Sequence, residues 1–324
     1  MSTRILPLVL LMIFLVPAAH ADVLINVGGR TVNVHVPPSY DGTPMPVVML
    51  LHGYTSNGFL QESYMQFEPL ADSEGFLYLT PDGTVNCLNE QFWNATDACC
   101  NFCGSGVDDV AFLAAVLNEV ETQLSVDANR IYLIGHSNGG FMSYRMACEL
   151  SDRIAAIASL AGATWSDPLA CTPSEPIHVL QVHGDSDATI LYPGGNILGV
   201  TYPGAVATTQ AWATYNGCSL TPDTSAANID LDSSLLGNES TVARYESGCS
   251  PGGSAELWTI VGGGHVPFLS GNFSGEIVDY LLAHPKATPQ VAVPALGQHV
   301  WLVLALLAAA SCLLGGSVRY RRAS

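Results

Sequence analysis

The chain has 324 residues, of which 48% are apolar and 12% charged, enough apolar material for one large domain with a sizeable core. With 28 acidic against 10 basic residues the net charge is −18, and four of the basic residues (Arg4, Arg319, Arg321, Arg322) sit at the two ends, leaving the body at six against 28, or −22. So acidic a surface argues against nucleic acid as a partner.

Residues 1–21 combine the basic Arg4, an apolar stretch from Ile5 to Val16 and the small-residue site Ala19-His20-Ala21, the layout of a secretory signal peptide cleaved before Asp22. The rival reading, an uncleaved anchor, is disfavoured by the short apolar core. Val23 to Val36 alternates apolar and polar residues about Gly28-Gly29 and predicts an opening hairpin. Pro46 to Leu51 is a buried strand that runs into His52-Gly53-Tyr54, and Phe76 to Leu79 is another strand. Val107 to Leu124 predicts a helix whose first turn holds Asp108 and Asp109, favourable to the helix dipole and needing no catalytic explanation.

The apolar run Ile131-Tyr132-Leu133-Ile134 leads into Gly135-His136-Ser137-Asn138-Gly139, and an amphipathic helix starts at Gly140. Strand, G-x-S-x-G and helix together have the form of a nucleophile elbow, which exposes a serine hydroxyl on a sharp turn that its glycines permit. On its own the pattern would be a glycine-rich turn; its context makes Ser137 the candidate nucleophile.

A serine of this kind needs an acid and then a histidine later in the chain. The strand Ile177 to Val182 ends in His183-Gly184-Asp185-Ser186-Asp187, which offers two acids, Asp185 and Asp187, of which we favour Asp187. Leu257 to Val261 runs into Gly262-Gly263-Gly264-His265, putting His265 on a glycine loop at a strand end as the candidate base. The other eight histidines have plainer readings: His20 in the leader, His299 in the tail, His284 at the end of a surface helix, His35 and His178 within strands, and His52, His136 and His183 as structural neighbours of the site. No histidine pair has metal-ligand spacing, so neither a catalytic metal nor a cofactor is expected. The oxyanion hole should use the backbone N–H groups of Asn138 and of Tyr54, which follows the His-Gly turn.

Leu51-His52-Gly53-Tyr54, Phe92-Trp93-Asn94-Ala95, Val107-Asp108-Asp109-Val110, the elbow with Gly140, His183-Gly184-Asp185-Ser186-Asp187 and Gly262-Gly263-Gly264-His265 together resemble the secreted poly(3-hydroxybutyrate) depolymerase and feruloyl esterase family over about residues 23 to 284. The resemblance implies an α/β-hydrolase fold, with a mostly parallel central sheet flanked by helices in a single domain, and cleavage of carboxylic esters. It also implies that the acid is the aspartate closing His-Gly-x-x-Asp, which is Asp187. This chain departs from the family in having Val266-Pro267-Phe268 where a tryptophan often follows the histidine, which implies a different pocket.

Nine cysteines divide into Cys312 in the tail and eight in the exported part, an even set that points to disulfides. Cys218 and Cys249 flank the polar insert from Ser219 to Ser240 and are expected to pair, as the resemblance also implies; Cys148 with Cys171 is a second expected pair. Cys87, Cys99, Cys100 and Cys103 would staple the loop around Trp93 with connectivity open, a zinc site being the rival reading. The insert itself reads as a surface loop, and helices are expected at Ala205 to Tyr215 and Gly275 to Leu282.

Val300 to Val318 carries no charge over 19 residues and is followed by Arg319-Tyr320-Arg321-Arg322, long enough to span a membrane with the arginines inside. With Val293 to Gly297 before it, the segment resembles the C-terminal sorting tags of Gram-negative bacteria; a permanent anchor is the alternative. The expected organisation is a signal peptide (1–21), a catalytic domain (22–284), a linker (285–297) and a transmembrane or sorting segment (298–324). The protein would be secreted or displayed at the cell surface, passing through the periplasm or a membrane-anchored stage before its tail is processed by sorting machinery.

Trp93, Trp165, Tyr192 and Phe268 lie in loops near the catalytic strand ends and are the candidate substrate contacts, although large apolar side chains more often pack in a core. The first expectation for the substrate is a polyester such as poly(3-hydroxybutyrate); the alternative is a feruloyl or acetylxylan ester of plant cell-wall polysaccharide. A serine peptidase and a non-catalytic surface-binding protein are the remaining classes.

Overall fold

The structure is a computed structural model that describes residues 21–287. The expected signal peptide other than Ala21, the linker from 288 onward and the C-terminal segment, with His20, His299 and Cys312, lie outside the described residues. Among the described residues no helix is long and apolar enough to cross a membrane.

In chain order the elements are β1 (Val23–Val27), β2 (Arg30–His35), β3 (Met45–Leu51), α1 (Gly58–Met65), α2 (Glu68–Glu74), β4 (Leu77–Leu79), β5 (Thr84–Val85), β6 (Gln91–Phe92), α3 (Asp109–Gln123), β7 (Val126–His136) and α4 (Asn138–Glu149). There follow β8 (Ala156–Leu160), β9 (His178–Gly184), β10 (Gly194–Ile197), β11 (Val200–Pro203), α5 (Ala205–Tyr215), β12 (Ser240–Tyr245), β13 (Ser254–Ile260) and α6 (Phe273–Ala283). Nine strands form one sheet in the order β1-β2-β4-β3-β7-β8-β9-β13-β12. The six strands from β4 to β13 in that order run parallel, and antiparallel strands close both edges.

Parallel strands covered on both faces must be apolar throughout, and β3 and β8 are buried at every position. Alternate residues feed two cores: Val47, Met49, Leu51, Ile131 and Leu133 meet Val116 of α3, Phe141 of α4 and Trp212 of α5. Val48, Leu50, Tyr132 and Ile134 meet Met65 of α1, Ala71 of α2 and Ile277 of α6 on the other face. The chain steps from β3 outward to β4 and then returns to place β7 on the opposite side of β3. Neighbouring loops therefore diverge beyond the carboxyl ends of β3 and β7, leaving the crevice where open α/β sheets bind ligands.

Asp108 is the N-cap of α3, its Oδ1 accepting from the Ala111 amide at 2.9 Å, so only Asp109 lies in the first turn. Asp109 is fully buried and does more than complement a dipole: its Oδ2 accepts from the Asn94 N–H at 2.7 Å, and burial raises its pKa against the pull of that bond and of Arg30. The insert from Ser219 to Ser240 is more than a surface loop. Leu231 is wholly buried in the second core with Ala226, Ile229 and Leu235 packed against that core, Ile229 bridges to Ser240, and Asp232 bridges to Leu269, so apolar residues of the insert pack it onto the domain. Four disulfides close, Cys148–Cys171 and Cys218–Cys249 as expected, with Cys87–Cys103 and the vicinal Cys99–Cys100 settling the open connectivity.

Candidate active site

β7 delivers Ser137 to a tight turn, with φ of 54° and ψ of −118°, a conformation that a side chain tolerates only where its surroundings impose it. Two glycines allow the turn. A Cβ on Gly135 would lie 2.1 Å from the Gly139 carbonyl oxygen, and one on Gly139 would lie 2.1 Å from that of Leu51. The Ser137 N–H donates to the Leu160 carbonyl at 2.8 Å, which ties the turn to the end of β8.

His265 Nε2 lies 3.0 Å from Ser137 Oγ and its Nδ1 lies 2.7 Å from Asp187 Oδ2. The other Asp187 oxygen accepts from the Thr189 and Ile190 amides at 2.8 and 2.9 Å. Burial opposes ionisation of this carboxyl, yet its bonds from His183 and His265 and the Thr189 amide hold it well below the usual carboxylate range. Asp185, the other candidate, is exposed and accepts from the Gly262 N–H at 2.7 Å, so it pins the glycine loop rather than touching the imidazole.

Of the three histidines read as structural, His183 and His136 touch this chain and His52 supports the loop after β3. His183 Nε2–H donates to the Ile190 carbonyl at 2.7 Å and lies 3.3 Å from Asp187 Oδ2, while its Nδ1 accepts from Gln181, whose Oε1 in turn accepts from Tyr144. His136 Nε2–H donates to the His265 carbonyl at 2.9 Å; burial, and then the neighbouring His265, push its pKa down to about 4, so it stays neutral around pH 7. His52 is wholly buried, which lowers its pKa; its Nδ1–H donates to the Gly53 carbonyl and its Nε2 accepts from the Gly83 amide.

The two candidate oxyanion donors flank the serine. Asn138 opens α4, where backbone N–H groups have no partner within the helix. A Cβ on Gly53 would lie 3.6 Å from Ser137 Cβ, so the β3 loop passes directly beside the serine. In that loop the amides of Gly53, Thr55 and Ser56 are committed to Gln61, Gln91 and Gly53, whereas among the described residues the Tyr54 N–H donates to none.

Serine, histidine and Tyr54 open onto a cavity of about 360 Å³ walled mostly by Leu60 and Tyr64 of α1 and by Val266. The Tyr64 hydroxyl donates to the Pro267 carbonyl at 2.7 Å, so its ring rather than its hydroxyl meets the cavity. Gln61 is 3% exposed: its Oε1 accepts from the Gly53 N–H at 3.1 Å, and its Nε2 has no partner among the described residues.

None of the four expected substrate contacts lines this cavity. Trp93 is corrected outright, being fully buried with its Nε1–H donating to the His52 carbonyl at 3.1 Å; it supports the loop from below. Trp165 lines a separate polar cavity, Tyr192 is half-buried with its hydroxyl on Thr259, and Phe268 is 71% exposed beyond the rim. The residues that do form the wall were missed because α1 is a short, weakly patterned helix after a loop, and no motif marks it.

A family model described as alpha/beta hydrolase fold matches residues 46–190. Feruloyl esterase B of Piromyces equi is 31% identical over 247 residues, covering 73% of this chain and 42% of that protein. Feruloyl esterase D of Neurospora crassa is 26% identical over 255 residues, covering 75% of this chain and 76% of that protein. The chain spans under half the length of the first curated relatives it matches. The solved structure of an acetyl xylan esterase from Aspergillus awamori superposes with a TM-score of 0.57 at 13% identity, over 81% of this chain and 99% of the other, a likeness of fold.

Proposed function

The chain adopts the α/β-hydrolase fold, a single domain with a mostly parallel sheet flanked by helices, and from that premise we propose that it is a serine carboxylic ester hydrolase acting on feruloyl or acetyl esters of plant cell-wall polysaccharide. The observation that carries this reading is the unbroken hydrogen-bond chain from Asp187 through His265 to Ser137 at the floor of an apolar cavity. The names of the relatives, feruloyl esterases among them, support this substrate class over the polyester expected first.

In this reading Ser137 Oγ attacks the ester carbonyl carbon while His265 Nε2 takes its proton. The carbonyl oxygen becomes an oxyanion facing the Tyr54 and Asn138 N–H groups, each such donor contributing about 3 kcal/mol of transition-state stabilisation. Collapse breaks the bond to the alcohol, which leaves with the proton from His265, and the acyl group stays on Ser137. Water then attacks the acyl carbon, passes its proton to His265 and releases the acid, and Ser137 recovers that proton. Asp187 fixes the imidazole tautomer and offsets the imidazolium charge. The reaction as written draws on no cofactor.

Ester substrates are the partners proposed. Residues 1–21 would be the export signal, 22–284 the catalytic domain and 298–324 a segment read by membrane or sorting machinery; the four disulfides favour an oxidising compartment outside the cytosol. A polyester substrate remains the second reading because Phe59 and Phe268, 77% and 71% exposed, and Leu60 and Val266 present an apolar surface that a hydrophobic polymer could meet. The deciding assay compares ferulate release from feruloylated arabinoxylan and acetate release from acetylated xylan with 3-hydroxybutyrate release from amorphous poly(3-hydroxybutyrate). Ser137-dependent release from the polysaccharides supports the proposal; release from the polyester alone reverses the order of the two readings.

A further inference from the structure

A second cavity, of about 440 Å³, opens between α4 and the loop that follows β6. It is lined by Asn94, Thr96, Asp97, Arg145, Glu149 and Trp165, almost all of them polar. The loop that forms one wall is fixed: Arg145 Nη1 donates to the Asn94 and Ala95 carbonyls at 2.6 and 3.3 Å, and Arg145 Nε donates to Glu149 at 2.7 Å, which also neutralises the cation. Thr96 is 3% exposed and its hydroxyl has no hydrogen-bond partner among the described residues.

A buried hydroxyl without a partner is a standing cost that a ligand can remove. The wall chemistry narrows what the ligand can be. Arg145 is already paired and Asp97 and Glu149 are acidic, so an anion has no free cation to meet. Among the described residues no group of three or more histidines, cysteines and carboxylates converges as a metal site. An indole beside amide, hydroxyl and carboxylate groups instead suits a neutral polyol, whose hydroxyls both donate and accept and whose C–H face packs on the ring.

We propose that this cavity binds a glycosyl unit of the polysaccharide that carries the scissile ester, an inference that rests on the substrate class proposed above. The spacing fits a chain rather than a single sugar. Arg145 and Glu149 follow Ser137 by eight and twelve positions along α4, or about 12 and 18 Å at the helical rise. Trp93 links the two places, since its main chain pairs with Asn138 beside the serine and Asn94 after it lines the cavity.

The test titrates the Ser137→Ala protein with xylotetraose by calorimetry, alone and combined with Trp165→Ala or Thr96→Val. It also measures kcat and KM of the two single variants on methyl ferulate and on a feruloylated arabinoxylan oligosaccharide. Xylotetraose should bind, each substitution should weaken it by about five- to tenfold, the usual effect of one lost hydrogen bond or ring contact, and KM for the oligosaccharide should rise alike with kcat unchanged. Unchanged turnover of methyl ferulate shows that the variants are folded. Absence of xylotetraose binding, binding that neither substitution weakens, or equal losses on both esters would overturn the proposal. If the wild type binds xylotetraose yet hydrolyses neither ester, the glycan site stands and the esterase reading falls.

Discussion

The side chain of Asn138 pairs with both main-chain polar groups of Trp93, its Oδ1 accepting from the Trp93 N–H at 2.7 Å and its Nδ2 donating to the Trp93 carbonyl at 3.0 Å. The residue proposed to lend its backbone N–H to the oxyanion is thereby locked to a second loop. Asn138→Leu strands two buried backbone groups, each costing about 1–3 kcal/mol. The variant should unfold at markedly lower denaturant and lose kcat more than KM. Asn138→Asp sets a second acceptor against the Trp93 carbonyl and buries an unpaired charge, so it should lose at least as much; equal kcat in all three proteins would show that the clamp does not position the amide.

Asp187 and Asp185 separate cleanly. Asp187→Asn should lower kcat by about 10⁴, the loss expected when the imidazole tautomer is no longer fixed. Asp185→Asn weakens one exposed loop contact and should leave kcat within a few fold, as steady-state assay on a short nitrophenyl ester would show. Collapse of turnover in the second variant alone would move the acid to Asp185.

Burial of His136 predicts a pH dependence of stability. Its pKa falls from 6.5 to about 4 on folding, so between those values the unfolded chain binds the proton and the native chain does not. Stability contributed by the neutral imidazole is therefore complete above about pH 6.5 and is lost as pH falls toward 4, by about 3 kcal/mol. The Asp187 carboxyl, depressed in the native state, adds a further loss below about pH 4. Urea midpoints measured from pH 7 to 4 should fall in the wild type and fall less in His136→Gln, which keeps a donor for the His265 carbonyl without titrating.

Gln61 anchors the loop that carries Tyr54, and Gln61→Leu leaves the buried Gly53 N–H unpaired. About 1–3 kcal/mol of stability should go with it, and kcat on methyl ferulate should drop, up to about a hundredfold if the Tyr54 amide is displaced. Thermal melting and single-turnover acylation measured on the same sample separate the two effects.

What could be read from the sequence was whatever a local rule enforces. The elbow declares itself because glycine is the only residue that its backbone contacts admit at positions 135 and 139, and the short apolar runs that end at His183-Gly184 and Gly262-Gly263 mark strand ends. The cavity wall was not legible, since Leu60, Gln61 and Tyr64 come together with Val266 only through tertiary packing of a short helix. Trp93 misled for a physical reason: a large aromatic near a catalytic loop looks the same in sequence whether it meets substrate or, as here, fills the space beneath. The buried roles of Asp109 and Leu231 were hidden likewise, one inside a routine helix start and the other inside a polar insert.

Cys218–Cys249 spans 31 residues of sequence around the insert, far from the serine in chain order. Replacing both cysteines by serine should cost about 3–4 kcal/mol on the loop-entropy scale while leaving kcat on methyl ferulate unchanged. Chemical denaturation and steady-state assay of the double variant check the two halves.

Whether Ser137 forms the acyl-enzyme is decided by intact-mass measurement and peptide mapping after treatment with a fluorophosphonate. One phosphonyl group per chain should appear, located on Ser137, with ester turnover lost in proportion to labelling and with no label on Ser137→Ala. An unlabelled wild type, a label on another residue, or a Ser137→Ala protein that turns over methyl ferulate at the wild-type rate would contradict it.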